Sequence, residues 1–124
     1  MNSMREAIIR GTLSGPSVTA ESGEQCFCFD HSFIGFDGHF PGYPILPAIL
    51  QTLMAQILAE EVVGAPLQLV ALKRAKFTRQ LRPGEKIKVR LSCRKEGMEL
   101  HCPVQLLVAD ETASSFTLVF GEAE

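Results

Sequence analysis

Hydrophobic and polar positions change period along this chain, and the changes mark its elements. Around residues 86–94 they alternate: Ile87, Val89, Leu91 and Cys93 fall on one side, Lys86, Lys88, Arg90 and Arg94 on the other. A period of two with one apolar face describes a strand between core and water. Met98, Leu100, Cys102, Val104, Leu106 and Val108 repeat the pattern and leave His101 on the solvent side with Glu99 and Gln105. From 46 to 63 the pattern differs: Ile49, Leu50, Leu53, Met54, Ile57, Leu58, Val62 and Val63 spread around much of a helical circumference. Such a helix is covered on most sides, and Gly64 followed by Pro66 ends it. Strands are expected at 7–20, 25–30, 67–80, 85–95, 98–109 and 113–121. Their expected turns are Glu21-Ser22-Gly23-Glu24, Arg82-Pro83-Gly84, Glu96-Gly97 and Asp110-Glu111. An apolar helix followed by an antiparallel meander with one apolar face packs most simply as a curved sheet wrapped round that helix, an α+β architecture. No linker, repeat or low-complexity segment divides the 124 residues, which form one domain from 1 to 124.

Composition narrows the picture. The apolar stretch at 45–63 approaches membrane length but carries Pro47, Gln51, Thr52, Gln56, Glu60 and Glu61, so no membrane span is expected. The N-terminus has no apolar signal core, and a cytoplasmic location is the expectation. Cys26, Cys28, Cys93 and Cys102 form no spaced framework and read as free thiols in a reducing compartment. A zinc site built from Cys26, Cys28 and His31 is not expected, and no motif suggests a metal, nucleotide or redox cofactor. Net charge is −2, yet residues 73–95 hold ten of the twelve Lys and Arg against Glu85 alone, so that segment is +9 and the remainder −11. Such a segment suits an acidic partner. Phe77 is the only aromatic within it, and without interleaved stacking residues nucleic acid is not an expected partner.

The candidate chemistry lies in Gly38-His39-Phe40-Pro41-Gly42-Tyr43-Pro44-Ile45-Leu46-Pro47-Ala48. Pro41, Pro44 and Pro47 keep this loop out of helical conformation until the helix begins. Proline suits a helix start, and the following amides of Ala48, Ile49 and Leu50 are expected to lack intrahelical partners. They could receive a carbonyl oxygen that becomes negative during reaction, beside a histidine able to move a proton.

Two segments resemble the hotdog-fold 3-hydroxyacyl-acyl-carrier-protein dehydratases of fatty acid synthesis. One is Phe36-Asp37-Gly38-His39-Phe40-Pro41-Gly42-Tyr43-Pro44-Ile45-Leu46-Pro47, similar to the motif around that family's catalytic histidine. The other, at 75–85, is similar to the strand that passes the active site and ends in Pro-Gly-Asp. The resemblance extends over about residues 25–121. It implies a single hotdog domain and an oligomer, a homodimer or larger, in which each site draws residues from two chains. It also implies an acyl thioester substrate carried by acyl-carrier protein or coenzyme A.

Carried over by position, the resemblance makes His39 the base and the Ala48 amide the oxyanion donor. Phe36, Phe40, Gly42, Pro47 and Phe77 become substrate-binding residues. Lys73, Arg74, Lys76, Arg79 and Arg82 become a docking strip for an acidic carrier protein. The family's helix carboxylate does not carry over: counting from the motif's last proline reaches Leu53, and counting back from Met54-Ala55-Gln56 reaches Thr52. Neither transfers a proton at neutral pH, and Glu60 lies roughly 10 Å further along the helix. Asp37, Gln51 and Thr52 are the accessory candidates, Asp37 to orient His39 and the other two to hold a water. Three functions follow as expectations: a dehydratase-like enzyme using His39, a noncatalytic acyl-thioester-binding or partner subunit of a heteromeric dehydratase, and a hotdog thioesterase.

Overall fold

The computed structural model describes residues 3–36, 42 and 44–121. Its elements run α1 (Ser3–Arg10), β1 (Ser17–Val18), β2 (Ser22–Phe27), a 3-10 turn at Ile34–Phe36, α2 (Ala48–Val63), β3 (Gln68–Phe77), β4 (Ile87–Ser92), β5 (Arg94–Glu96), β6 (Glu99–Val108) and β7 (Glu111–Gly121). The strands form one sheet in the order β1-β2-β4-β6-β7-β3, with β5 continuing the line of β4 against β6. All of their pairings are antiparallel.

Helix α2 lies against the apolar face of this sheet. Met54, Ala55, Leu58 and Ala59 are fully buried in one cluster with Phe27, Ile87, Val89, Leu91, Leu106, Leu118 and Phe120. This is the α+β hotdog arrangement, a sheet wrapped round a central helix. The close approach depends on Gly23 in β2, where a Cβ would stand 2.7 Å from the Val62 side chain and 3.3 Å from Leu58. The alternation expected for β4 is present, with Ile87, Val89, Leu91 and the following Cys93 inward. In β6 it holds from Cys102 to Val108, whereas Met98 sits 79% exposed in the turn before the strand.

Three expectations are corrected at the N-terminal end. Residues 3–10 are helical where a strand from 7 was expected, because Met4, Ala7 and Ile8 follow helical spacing onto the core. The strand after it shrinks to Ser17–Val18. The turn expected at 21–24 falls earlier, closed by the Thr19 amide on the Ser22 carbonyl (2.8 Å), since Gly23 is needed inside β2.

The connections explain themselves locally. Gly64, left-handed at φ 80°, caps α2 by donating its amide to the Glu60 carbonyl (2.7 Å). The β6–β7 hairpin turns on Ala109 and Asp110, both at positive φ (50° and 67°), the backbone of a two-residue primed turn built without glycine. Pro103 inside β6 has no amide to give, and β4 and β5 are separate strands on either side of its position. Among the described residues, no helix is long and apolar enough to cross a membrane.

Candidate functional site at the N-terminus of α2

Pro47 stands as the N-cap of α2 in extended conformation (φ −63°, ψ 152°), with no side-chain cap. The first helical bonds run from the Leu50 and Gln51 amides to the Pro47 carbonyl (3.1 and 3.2 Å). Leu50 therefore has a partner, contrary to expectation, and the amides of Ala48 and Ile49 are those preceding the helical ladder.

A cleft of 340 Å³ opens at this helix end. One wall is Ile45, Leu46, Pro47, Ala48 and Gln51; the other is Phe77, Thr78, Arg79 and Gln80 at the end of β3. The walls are tied together, since the Leu46 amide donates to the Leu81 carbonyl (2.8 Å). The second wall is anchored to β7 by the Thr78 and Arg79 amides, both of which donate to the Ala113 carbonyl (2.9 and 3.1 Å). Phe77 is 42% exposed and stacks on buried Phe116, with ring centroids 6.0 Å apart.

Gln51 forms the polar floor. It is 4% exposed; its amide nitrogen donates to the Leu46 carbonyl (3.3 Å) and its amide oxygen accepts from the Ser114 hydroxyl (2.7 Å). Sequence reasoning missed Ser114, although a serine within the apolar run of β7 is the kind of buried polar group that needs a partner. Thr52 is turned back along the helix, its hydroxyl donating to the Ile49 carbonyl (2.7 Å), and it does not line the cleft.

Electrostatically the cleft is guarded by a bound arginine. Arg79 pairs with Glu85 (2.7 Å) and Glu111 (3.4 Å). Its hydrogen bond to Glu85 raises the arginine above its ordinary value and lowers the Glu85 carboxyl, and the Arg82 amide also stabilises that carboxylate. Among the described residues lining the cleft, no carboxylate is present. Glu60 sits at the other end of α2 and is fully engaged: it holds Arg5 of α1 (2.6 Å), the Gln56 amide (3.3 Å) and the Leu67 backbone amide (3.1 Å).

The structure thus brings Pro47, Ala48, Gln51, Phe77 and Arg79 to one cleft. Phe36 is elsewhere, buried edge-on against Phe33 (5.5 Å, 87°). Gly42 is exposed with φ 83°. His39, Asp37 and Phe40 lie outside the described residues. Lys73, Arg74 and Lys76 are exposed on β3, while the Arg82 backbone donates to Glu85. Larger clefts of 720 and 660 Å³ open elsewhere, and of the expected site residues they include only Arg74. Among the described residues no group of three or more His, Cys, Asp or Glu is placed to hold a metal ion.

An antiparallel sheet wrapped round one central helix is the hotdog fold, and comparison with known proteins gives its family. Residues 17–116 match the ApeI-like family, described as ApeI dehydratase, and the chain belongs to it. It is 31% identical over 109 residues to the 3-hydroxyacyl-[acyl-carrier-protein] dehydratase FabZ of Lactobacillus helveticus, covering 79% of this chain and 74% of that one. It is 33% identical over 93 residues to FabZ of Lactiplantibacillus plantarum, covering 68% of this chain and 63% of that enzyme, less than two thirds of its length. The fold superposes on the dehydratase heterocomplex ApeI:P from Xenorhabdus doucetiae with a TM-score of 0.71, at 21% identity, covering 84% of this chain and 90% of that one. It superposes also on a hypothetical thioesterase with coenzyme A from Streptococcus pneumoniae, with a TM-score of 0.72 at 5% identity over 98% and 96% of the chains.

Proposed function

We propose that this chain is an acyl-thioester-binding subunit of a heteromeric dehydratase, completed by a related hotdog chain that supplies the missing acid. The observation that carries this reading is the composition of the α2 cleft. It offers two unladdered amides, an apolar aromatic wall and an amide floor, but no carboxylate among its described lining residues. In this reading the thioester carbonyl sits at the Ala48 and Ile49 amides, where a helix end favours developing negative charge. The acyl chain runs along Pro47 and Phe77. His39 takes the proton next to the carbonyl, and the departing hydroxyl is protonated by the partner.

The surface supports the pairing. Strand β3 ends the sheet order, and along it Leu69, Val70, Leu72 and Phe77 are 40–53% exposed. An apolar edge strand of this length is a template for another chain, and its end forms a wall of the cleft. A heterocomplex of a related dehydratase, ApeI:P, is known in Xenorhabdus doucetiae. Lys73, Arg74 and Lys76 on the same strand would steer an acidic carrier protein towards the cleft, an effect that weakens with salt.

The test is hydration of a short 2-enoyl-acyl-carrier thioester by the purified chain alone and with a co-expressed related hotdog chain, each as wild type and His39→Ala. Binding without turnover alone, turnover with the partner, and loss of that turnover in the variant are the expected results. Full activity of the chain alone, abolished by His39→Ala, would instead establish the self-sufficient dehydratase. Full activity in the variant would remove His39 from the chemistry altogether.

A further inference from the structure

Cys93 and Cys102 occupy one register position on neighbouring strands. The β4–β6 ladder pairs Leu91 with Val104 and the β5–β6 ladder pairs Arg94 with His101. Continuing either ladder sets Cys93 directly opposite Cys102. Between the two ladders the Cys93 amide turns away and donates to the Glu21 carbonyl (2.7 Å). Both side chains point inward, and both are free thiols whose sulfurs stand 3.0 Å apart. Closing that gap to a disulfide bond of about 2.05 Å requires a movement of about 1 Å, and directly opposed strand positions lie within the span a disulfide bridges.

Access is one-sided. Cys102 is fully buried, while Cys93 lines a cleft of 660 Å³ at the C-terminal end of α2, beside Val62, Leu67 and Leu100. This cleft is distinct from the one at the helix N-terminus and shares no residue with it. The hydrogen bond from the Cys102 thiol lowers the Cys93 thiol, and the same bond together with burial raises Cys102. The cysteine that lines the cleft is thus also the one favoured as thiolate, the form that attacks.

We propose that Cys93 and Cys102 are a reversible dithiol–disulfide pair, oxidised by a peroxide that enters the cleft at the C-terminal end of α2. The Cys93 thiolate attacks one peroxide oxygen, the O–O bond breaks, and water leaves with Cys93 as sulfenic acid. The Cys102 sulfur then displaces the sulfenic oxygen as a second water. Two thiols lose two electrons and two protons, and one hydrogen peroxide becomes two waters. A thiol reductant reverses the change by exchange. Cys26, in β2 at a position facing away from the core, and Cys28, just past the end of that strand, are half-buried and apart from the pair, which makes them an internal control.

The test is peptide mapping by mass spectrometry after brief exposure of the folded full chain to hydrogen peroxide. A cross-linked Cys93–Cys102 peptide, lighter by two hydrogens and restored by dithiothreitol, is expected. It should persist in Cys26→Ser/Cys28→Ser and vanish in Cys102→Ser, where Cys93 should instead stop at sulfenic or sulfinic acid. Either of two results on the wild-type chain overturns the proposal, whatever the folding of the variants. One is Cys93 overoxidised with Cys102 still reduced; the other is Cys26 and Cys28 oxidised while the buried pair stays untouched.

Discussion

Replacing Gln51 by leucine and Ser114 by alanine, singly and together, decides whether the cleft's polar floor is a strut or a free hydrogen-bonding group. In Gln51→Leu the Ser114 hydroxyl, 1% exposed, loses its acceptor, and the Leu46 carbonyl loses the longer 3.3 Å bond. A stranded buried polar group costs about 1–3 kcal/mol, and the long bond adds less, so a loss of about 2–3 kcal/mol is expected. In Ser114→Ala only the Gln51 amide oxygen is stranded, for about 1–2 kcal/mol. The double variant removes both partners of the 2.7 Å bond and should lose no more than the Gln51 single variant, giving a coupling of about 1 kcal/mol or more. Urea denaturation measures it directly, and thermal melts should follow at roughly 3–5 °C per kcal/mol for a domain of this size. Additive losses would refute the reasoning. They would mean that the two side chains do not bond, and that Gln51 is available to hold a water or a substrate atom in the cleft.

Three further outcomes are expected. Gly23→Ala should destabilise by about 1–3 kcal/mol through overpacking, since the new methyl meets Val62, a side chain stiff in a helix; Val62→Ala in the same chain should recover part of the loss in urea melts. Glu85 is lowered by Arg79, so its contribution is complete above its unfolded value near 4.5 and fades as pH falls through the lower folded value; the stability gap between wild type and Glu85→Gln should therefore close on acidification. Val70→Lys/Leu72→Lys on the β3 edge should abolish association with itself or a partner chain in sedimentation while leaving the monomer's circular dichroism unchanged; retained association would place the interface elsewhere.

Where a segment's periodicity coincided with its burial, the sequence was legible. Ile87 to Cys93 alternates because one face meets α2 and the other meets water, and α2 is apolar around most of its girth because the sheet curves about it. The first helix was not legible as such, since eight residues hold too few turns for Met4, Ala7 and Ile8 to stand out from a strand. Its register becomes clear only through the Arg5–Glu60 ion pair, which spans 55 positions. Of the candidate site, Pro47, Ala48, Gln51 and Phe77 were identifiable from the proline spacing and the family resemblance. Ser114 and the Arg79–Glu111 contact were not, because they depend on β7 lying beside β3, a long-range pairing that no local pattern encodes. Phe36 shows the converse, an aromatic next to the motif that packing takes inward.

The edge strand β3 also carries instructions about how it is to be covered. Its first half, Leu69 to Leu72, is sticky, and its second half holds Lys73, Arg74 and Lys76. Stacking identical copies in parallel register, as fibrils do, would set each cation upon its own counterpart, a repulsion repeated at every layer. An antiparallel pairing centred between residues 72 and 73 instead opposes Lys73 to Leu72, Arg74 to Ala71 and Lys76 to Leu69, with no like charges face to face. The same ten residues thus invite a two-fold or pseudo-two-fold neighbour and resist open-ended assembly. Covering this edge, by a second copy or by another chain, would remove the exposed apolar strand from which aggregation could start.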